Sequence, residues 1–403
     1  MKNMPNLSRC GHVMPASPIR KLAPLAAAAH ERGVKVFSLN IGQPDLPSPR
    51  QAIEALHNFD RKVLEYSPSD GFYSLRRKFC DYYAQNDIHV TPEQVIVTTG
   101  GSESVLFSFL ATLDPGDEVI LPEPAYANYV AFSKIVGARI IGLPCSIDDG
   151  FRLPPIEEFE KRITPSTKAI LICNPNNPTG AVYSAEELEK LSALVKRHDL
   201  FLFSDEVYRE FCYADVPVKS ALQLEGLDEQ VVVIDSVSKR YDECGIRIGT
   251  LVTRNKQLRD TVMKFCQARL SPPLLGQVVA EASMNIDKEY LEKAFEEYRR
   301  RRDFLLKAIN EIPGVYSPMP MGAFYTVARL PVPDAEAFCR WCLEEFSYKG
   351  RTVFMAPAAG FYTLPGYGKD EVRMAYVLKE EDLAMAVETL AAALDAYPLT
   401  LPR

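Results

Sequence analysis

From Gln94 onward the chain alternates short runs of aliphatic and β-branched residues with longer helical stretches, and most of the apolar runs end in clusters of Gly, Pro, Ser or Asn. The candidate strands are residues 95–98, 117–121, 169–173, 200–203, 231–234 and 248–253. Strands that alternate with helices in this order bury both faces best as a mostly parallel sheet between two helical layers, so the expected class is α/β. In such sheets ligands gather at the carboxyl ends of the strands, and that is where this chain carries its least ordinary residues.

After the run Val231, Val232, Val233, Ile234 comes Ser236-Val237-Ser238-Lys239, and eight residues beyond the lysine Arg247 stands within Gly245-Ile246-Arg247-Ile248-Gly249. A lysine at a strand end, beside hydroxyls and a fixed cation, is placed to form a Schiff base with a carbonyl. Neighbouring positive charge and partial desolvation would favour its neutral, nucleophilic form. Ser236, Ser238 and Arg247 could hold a phosphate beside it. A second phosphate-binding element is Gly100-Gly101-Ser102, a glycine turn opening a helix, where free backbone amides and the positive end of the helix dipole favour an anion. At the end of the run 200–203 stands Asp205, a carboxylate that needs a cationic partner if it is buried. Its neighbour Glu206 is the rival acid, but on an extended strand it should point the other way.

Composition narrows the function classes. With 403 residues, 47% hydrophobic and 25% charged, the chain is ordinary globular material for two domains. Its 46 basic against 53 acidic residues give a net charge of −7, and the one basic run, residues 299–302, reads as the solvated face of a helix, which argues against a nucleic-acid partner. Nine cysteines scattered from Cys10 to Cys342 make no disulfide framework and point to a reducing, cytoplasmic setting. Cys339 and Cys342 are read as adjacent turns of a helix, and no His or Cys cluster suggests a metal site. No stretch approaches the roughly 18 apolar residues of a membrane span. Residues 22–29 read as an amphipathic helix and the first residues, 1–14, as an arm without periodicity.

Ser-x-Ser-Lys followed by Gly-x-Arg-x-Gly resembles the lysine motif of fold-type I pyridoxal phosphate enzymes, and more narrowly the class I and II aminotransferases of the aspartate aminotransferase type. Other family elements follow in order: Tyr66-Ser67-Pro68-Ser69-Asp70-Gly71, Asn174-Pro175-Asn176-Asn177-Pro178-Thr179-Gly180, Ser204-Asp205-Glu206-Val207-Tyr208 and Arg373-Met374-Ala375-Tyr376. The resemblance implies pyridoxal 5'-phosphate joined to Lys239, Asp205 opposite the pyridine nitrogen, Asn177 and Tyr208 at the phenolic oxygen, and Tyr126 stacked on the ring. Ser236, Ser238, Arg247, Gly101 and Ser102 would surround the phosphate, and Tyr66 would reach the phosphate of a neighbouring subunit, which makes the active unit a homodimer with shared sites. Arg373 would grip the substrate α-carboxylate, with Ile41 and Gly42 beside it; Tyr129 is read as core.

The resemblance also implies a seven-stranded, mostly parallel sheet in a large cofactor-binding domain, residues 48–287, and a smaller discontinuous α/β domain, residues 15–47 and 288–403. The expected activity is ping-pong transfer of an amino group from an L-amino acid, aspartate or glutamate first, to 2-oxoglutarate. Arg20 and Arg269 are the candidates for a distal carboxylate. Aromatic or alanine-type aminotransferases and a carbon-sulfur lyase are the alternatives, and a DNA-binding regulator is disfavoured because residues ahead of Gln43 leave no room for a winged helix and linker.

Overall fold

The structure is a computed structural model that describes residues 5–214 and 218–399. Its strands are β1 (Lys35–Ser38), β2 (Val95–Thr98), β3 (Glu118–Glu123), β4 (Arg139–Pro144), β5 (Thr167–Cys173), β6 (Phe201–Asp205), β7 (Val231–Ser236), β8 (Gly249–Val252), β9 (Tyr325–Arg329), β10 (Arg351–Phe354), β11 (Ala356–Pro357) and β12 (Glu371–Ala375). Seven of them form one sheet in the order β2-β8-β7-β6-β5-β3-β4. Only β8 runs antiparallel to its neighbours β2 and β7; the other pairs are parallel.

The strands are apolar on both sides because both sides are covered. Val232 and Ile234 pack with Leu171 and Phe203 on one face, while Val231 and Val233 pack with Ile170, Ile172 and Leu202 on the other. This is the period-2 alternation of a strand with an apolar layer at each face. The parallel register sets Cys173 beside Asp205 and Asp205 beside Ile234, so the carboxyl ends of β5, β6 and β7 open on one edge.

The remaining strands build two smaller sheets. β11, β12 and β9 are antiparallel, and β1 pairs in parallel with β10, which ties the start of the chain to its last third. The helix Lys288–Asn310 lies between the two sequence regions, and at its first half Tyr290 and Tyr298 both donate to the Asp242 carboxylate, at 2.9 and 3.1 Å. Cys339 and Cys342 sit on adjacent turns of the helix Ala335–Glu344, both buried free thiols.

Two local expectations need correction. The basic run 299–302 is not one solvated face: Arg299 and Arg300 are exposed and pair with Glu296 and Glu297, but the Arg301 side chain is 2% exposed and bridges Asp45 (2.6 Å) and Glu297 (2.8 Å). Four consecutive residues cover every side of a helix, so a run of charge cannot share one face. The arm is not without structure either, since Arg9–Val13 forms a short helix capped by Ser8, and Cys10 Sγ lies 3.7 Å from the Lys134 carbonyl.

Candidate active site

A cavity of about 630 Å3 opens at the carboxyl ends of β5, β6 and β7. It is lined by Lys239, Asp205, Asn177, Tyr208, Tyr126, Gly101, Ser102, Ser236, Ser238, Arg247, Ile41, Gly42 and Arg373, so one space brings together all but one of the residues singled out from the motifs. The exception is Tyr66, which is 77% exposed and does not line its own chain's cavity.

Lys239 leaves β7 on the short helical turn Val237–Arg240, started by Ser236, whose hydroxyl accepts from the Ser238 amide. Its Nζ donates to the Gly42 carbonyl at 2.8 Å and lies 3.5 Å from Cys244 Sγ. Gly42 can present that carbonyl because it has no side chain: a Cβ there would stand 2.0 Å from the Tyr325 hydroxyl. The expectation that surroundings favour neutral Lys239 is corrected here. Burial does push the ammonium down, but Tyr325, Cys244 and Tyr126 around it outweigh burial, and the pKa lies above the ordinary lysine value. The sequence argument counted the cation Arg247 and missed the phenols and thiol.

Part of the cavity lining is cationic and rich in donors. Arg247 adopts a left-handed conformation (φ 58°), and its Nη1 donates to the Cys244 carbonyl (2.9 Å) and reaches Ser238 Oγ (3.4 Å). The helix Gly100–Thr112 starts against it, and its N-cap Thr99 makes no side-chain cap bond. Gly100 has φ 73°, and a Cβ there would lie 2.3 Å from Arg247 Nη2, so glycine is what lets the guanidinium close on the helix start. Hydroxyls, a guanidinium and helix amides around one space are a receptor for a phosphate-sized anion.

The Asp205 carboxylate, also in the cavity lining, is 6% exposed. Burial pushes its pKa up to about 6, although the Tyr129 hydroxyl, donating to Oδ2 at 2.6 Å, and the Val207 amide pull it down. Both named partners are neutral donors, and no ion pair to this buried acid is formed among the described residues. Glu206 does point away, towards Arg209, Ser220 and the Ala221 amide.

Arg373, from β12, is the inverse case. It is 1% exposed, its Nη1 donates to Asn177 Oδ1 (3.0 Å), its Nη2 to the Asn40 carbonyl, and its Nε has no partner. Its guanidinium lies over the Tyr325 ring at 4.4 Å. Burial lowers its pKa, and the groups that offset burial are the phenols of Tyr325, Tyr208 and Tyr126, with no acid among them.

Of the two arginines considered for a distal carboxylate, the structure brings only Arg20 to the cavity, where it stands beside Ser17 and Ile19. Arg269 does not line the cavity: its Nη2 donates to the Ser69 and Val97 carbonyls and its Nε faces Glu103 at 3.5 Å. Among the cavity residues that sequence reasoning left without a role, three make polar contacts to predicted ones. Tyr129 is buried as expected but holds Asp205; Tyr325 joins the Tyr208 hydroxyl at 3.0 Å; Cys244 touches Lys239. For Tyr129 the signal was its spacing of three from Tyr126, whereas nothing local marks Tyr325.

Among the described residues no group of three or more His, Cys, Asp or Glu could hold a metal, and no helix is long and apolar enough to cross a membrane. Comparison with known proteins agrees with the geometry. The family described as Aminotransferase class I and II matches residues 34–390. An aspartate/prephenate aminotransferase of Thermus thermophilus is 31% identical over 395 residues, covering 96% of this chain and 98% of its own length. Among solved structures, an aspartate aminotransferase from Thermus thermophilus with maleate superposes with a TM-score of 0.87 at 30% identity, covering 97% of this chain and 100% of that one. An alanine aminotransferase from Pyrococcus furiosus gives 0.88 at 28%, over 96% and 99%. The chain belongs to the class I and II aminotransferases, with their fold-type I architecture.

Proposed function

We propose that this aminotransferase binds pyridoxal 5'-phosphate and moves the amino group of a dicarboxylic L-amino acid, aspartate or glutamate, to 2-oxoglutarate in a ping-pong cycle. One observation carries the reading: in a single cavity the buried carboxylate of Asp205 is met only by neutral donors, and the buried guanidinium of Arg373 only by neutral acceptors, with no ion pair to either among the described residues. A protonated pyridine nitrogen would complete the first and a substrate carboxylate the second. The family depends on pyridoxal phosphate, and the residues present fit it: Asp205 would face the ring nitrogen, Asn177 and Tyr208 the phenolic oxygen, and Tyr126 one ring face. Ser236, Ser238, Arg247, Gly101 and Ser102 would take the phosphate.

Bound there, the cofactor supplies a ring that accepts electrons from the substrate α-carbon. The chain supplies the rest. Arg373 orients the α-carboxylate in a bidentate grip, with its ring stack on Tyr325 limiting rotation. Lys239 Nζ, within reach of the substrate between Gly42 and Cys244, takes and returns the α-proton. Asp205 keeps its partner nitrogen protonated, and Tyr129 keeps Asp205 ionised.

Arg20 supports the dicarboxylate choice. It lines the cavity and is exposed, and the Thermus relative with the same architecture is described with maleate, itself a dicarboxylate. The experiment is a panel of amino acids with wild type and Arg20→Ala. Aspartate and glutamate should outrun alanine and phenylalanine, and the variant should lose about tenfold in kcat/KM on the dicarboxylates alone, the worth of one charge-assisted contact. If alanine is preferred, or if the variant treats aspartate as wild type does, the dicarboxylate assignment falls. Release of ammonia and pyruvate would instead favour the carbon-sulfur lyase reading.

Two further assignments belong to this reading. We assign residues 48–287 to the large domain and residues 15–47 with 288–403 to the small one, supported by the β1-β10 pairing. We also assign a homodimer in which Tyr66 enters the partner's site; Val63, Leu64 and Tyr66 are 68%, 68% and 77% exposed, an apolar stretch that water disfavours. Light scattering should give twice the 45.1 kDa chain mass, and a monomer that is fully active would remove the assignment. Nine cysteines, none of them in a disulfide, accord with a cytoplasmic setting.

A further inference from the structure

The segment between Lys239 and Arg247 reads Arg-Tyr-Asp-Glu-Cys-Gly-Ile, and the aminotransferase reading gives its cysteine no task. Cys244 begins the short turn Cys244–Ile246 and lines the cavity. Three contacts join it to motif residues. Its carbonyl accepts from Arg247 Nη1 at 2.9 Å, its thiol donates to the Ser238 carbonyl at 3.2 Å, and its sulfur stands 3.5 Å from Lys239 Nζ. The backbone contact serves the anion cradle, whereas the side chain touches the Ser238 carbonyl and the lysine, so truncating the thiol leaves the Arg247 contact in place.

The lysine has a second anchor, the Gly42 carbonyl at 2.8 Å, which comes from the other end of the chain and is fixed because Gly42 packs on Tyr325. A carbonyl can only accept. It holds an ammonium and also an amine that still has a proton to give, but it offers nothing to the amine lone pair. A thiol accepts weakly and donates weakly, so it can face either protonation state. We propose that Cys244 is a positioning residue for Lys239, its sulfur accepting from the ammonium and its S–H turning to the amine, so that Nζ keeps one place while its proton comes and goes. This deepens the reading of Lys239 as the proton carrier and rests on it for its purpose, though not for its test.

The test follows Lys239 itself, in the full chain without cofactor or substrate. Wild type, Cys244→Ala, Cys244→Ser and Cys244→Val are treated with an acetylating ester across a pH series, and acetylation of the Lys239 peptide is quantified by mass spectrometry. Loss of an acceptor for the charged form should lower the midpoint of Cys244→Ala by about half to one pH unit, making Lys239 roughly three to ten times more reactive at any pH below it. Cys244→Val fills the space of the thiol and should shift as alanine does, which separates a lost contact from a loosened turn. Cys244→Ser, with a hydroxyl that donates and accepts, should stay within a few tenths of wild type. A midpoint unchanged in both Ala and Val, or a serine variant displaced as far as alanine, overturns the proposal. Neither result touches aminotransfer, which fails separately if the wild type transfers no amino group.

Discussion

Lys239→Ala is expected to lower kcat for amino transfer by at least about 10⁴-fold while the protein still folds. General-base catalysis alone accounts for roughly 10²–10⁴-fold, and on the proposed reading the same side chain also anchors the cofactor, so two losses combine. The carboxylate of Asp205 is committed to Tyr129 and the Val207 amide, and the phenols of Tyr208 and Tyr325 are tied to each other at 3.0 Å. Steady-state assays with added primary amines check the point: partial rescue by a small amine is the expected result, because the space vacated by the side chain leads to the Gly42 carbonyl that held Nζ. A variant within tenfold of wild type would show that another group carries the proton.

Arg373→Met is expected to lower kcat/KM by about 10³-fold, mostly through KM, since two charge-assisted bonds to a carboxylate are worth roughly 1.5–3 kcal/mol each. Arg373→Lys should recover only part of this, because a point charge cannot reproduce a planar fork. The thermal behaviour separates function from structure. A buried guanidinium without an acid costs the fold desolvation, and methionine fills most of its volume without that cost, so Tm should stay level or rise. A large fall in Tm with matching loss of activity would make Arg373 a structural residue.

Much of this was legible before the structure because the chemistry sits at strand ends. A parallel strand buries both faces, so its apolar run is continuous and its end is marked by the first polar residues; Asp205 and Lys239 stand at such ends, whereas Asn177, four residues past its strand, came from the family resemblance. The residues that escaped are joined to the site by contacts distant in the chain. Tyr325 lies 117 residues from Tyr208, on a strand of another sheet, and its role follows from the packing of Gly42 against it. Arg269 looked as free as Arg20, and only the fold shows that Glu103 and two carbonyls have claimed it. The acidity of Lys239 went the same way: its neighbours in sequence are hydroxyls and an arginine, but its neighbours in space are phenols and a thiol.

The most direct measurement is the absorbance spectrum of the wild-type protein reconstituted with pyridoxal phosphate, taken before and after one equivalent of aspartate, with the released 2-oxo acid quantified. The account predicts a visible band that Lys239→Ala does not form in the same way, its replacement by a near-ultraviolet band on adding aspartate, and one oxo acid released per site without ammonia. Wild-type protein that forms no visible band, or a band that persists through every amino acid offered, would contradict it.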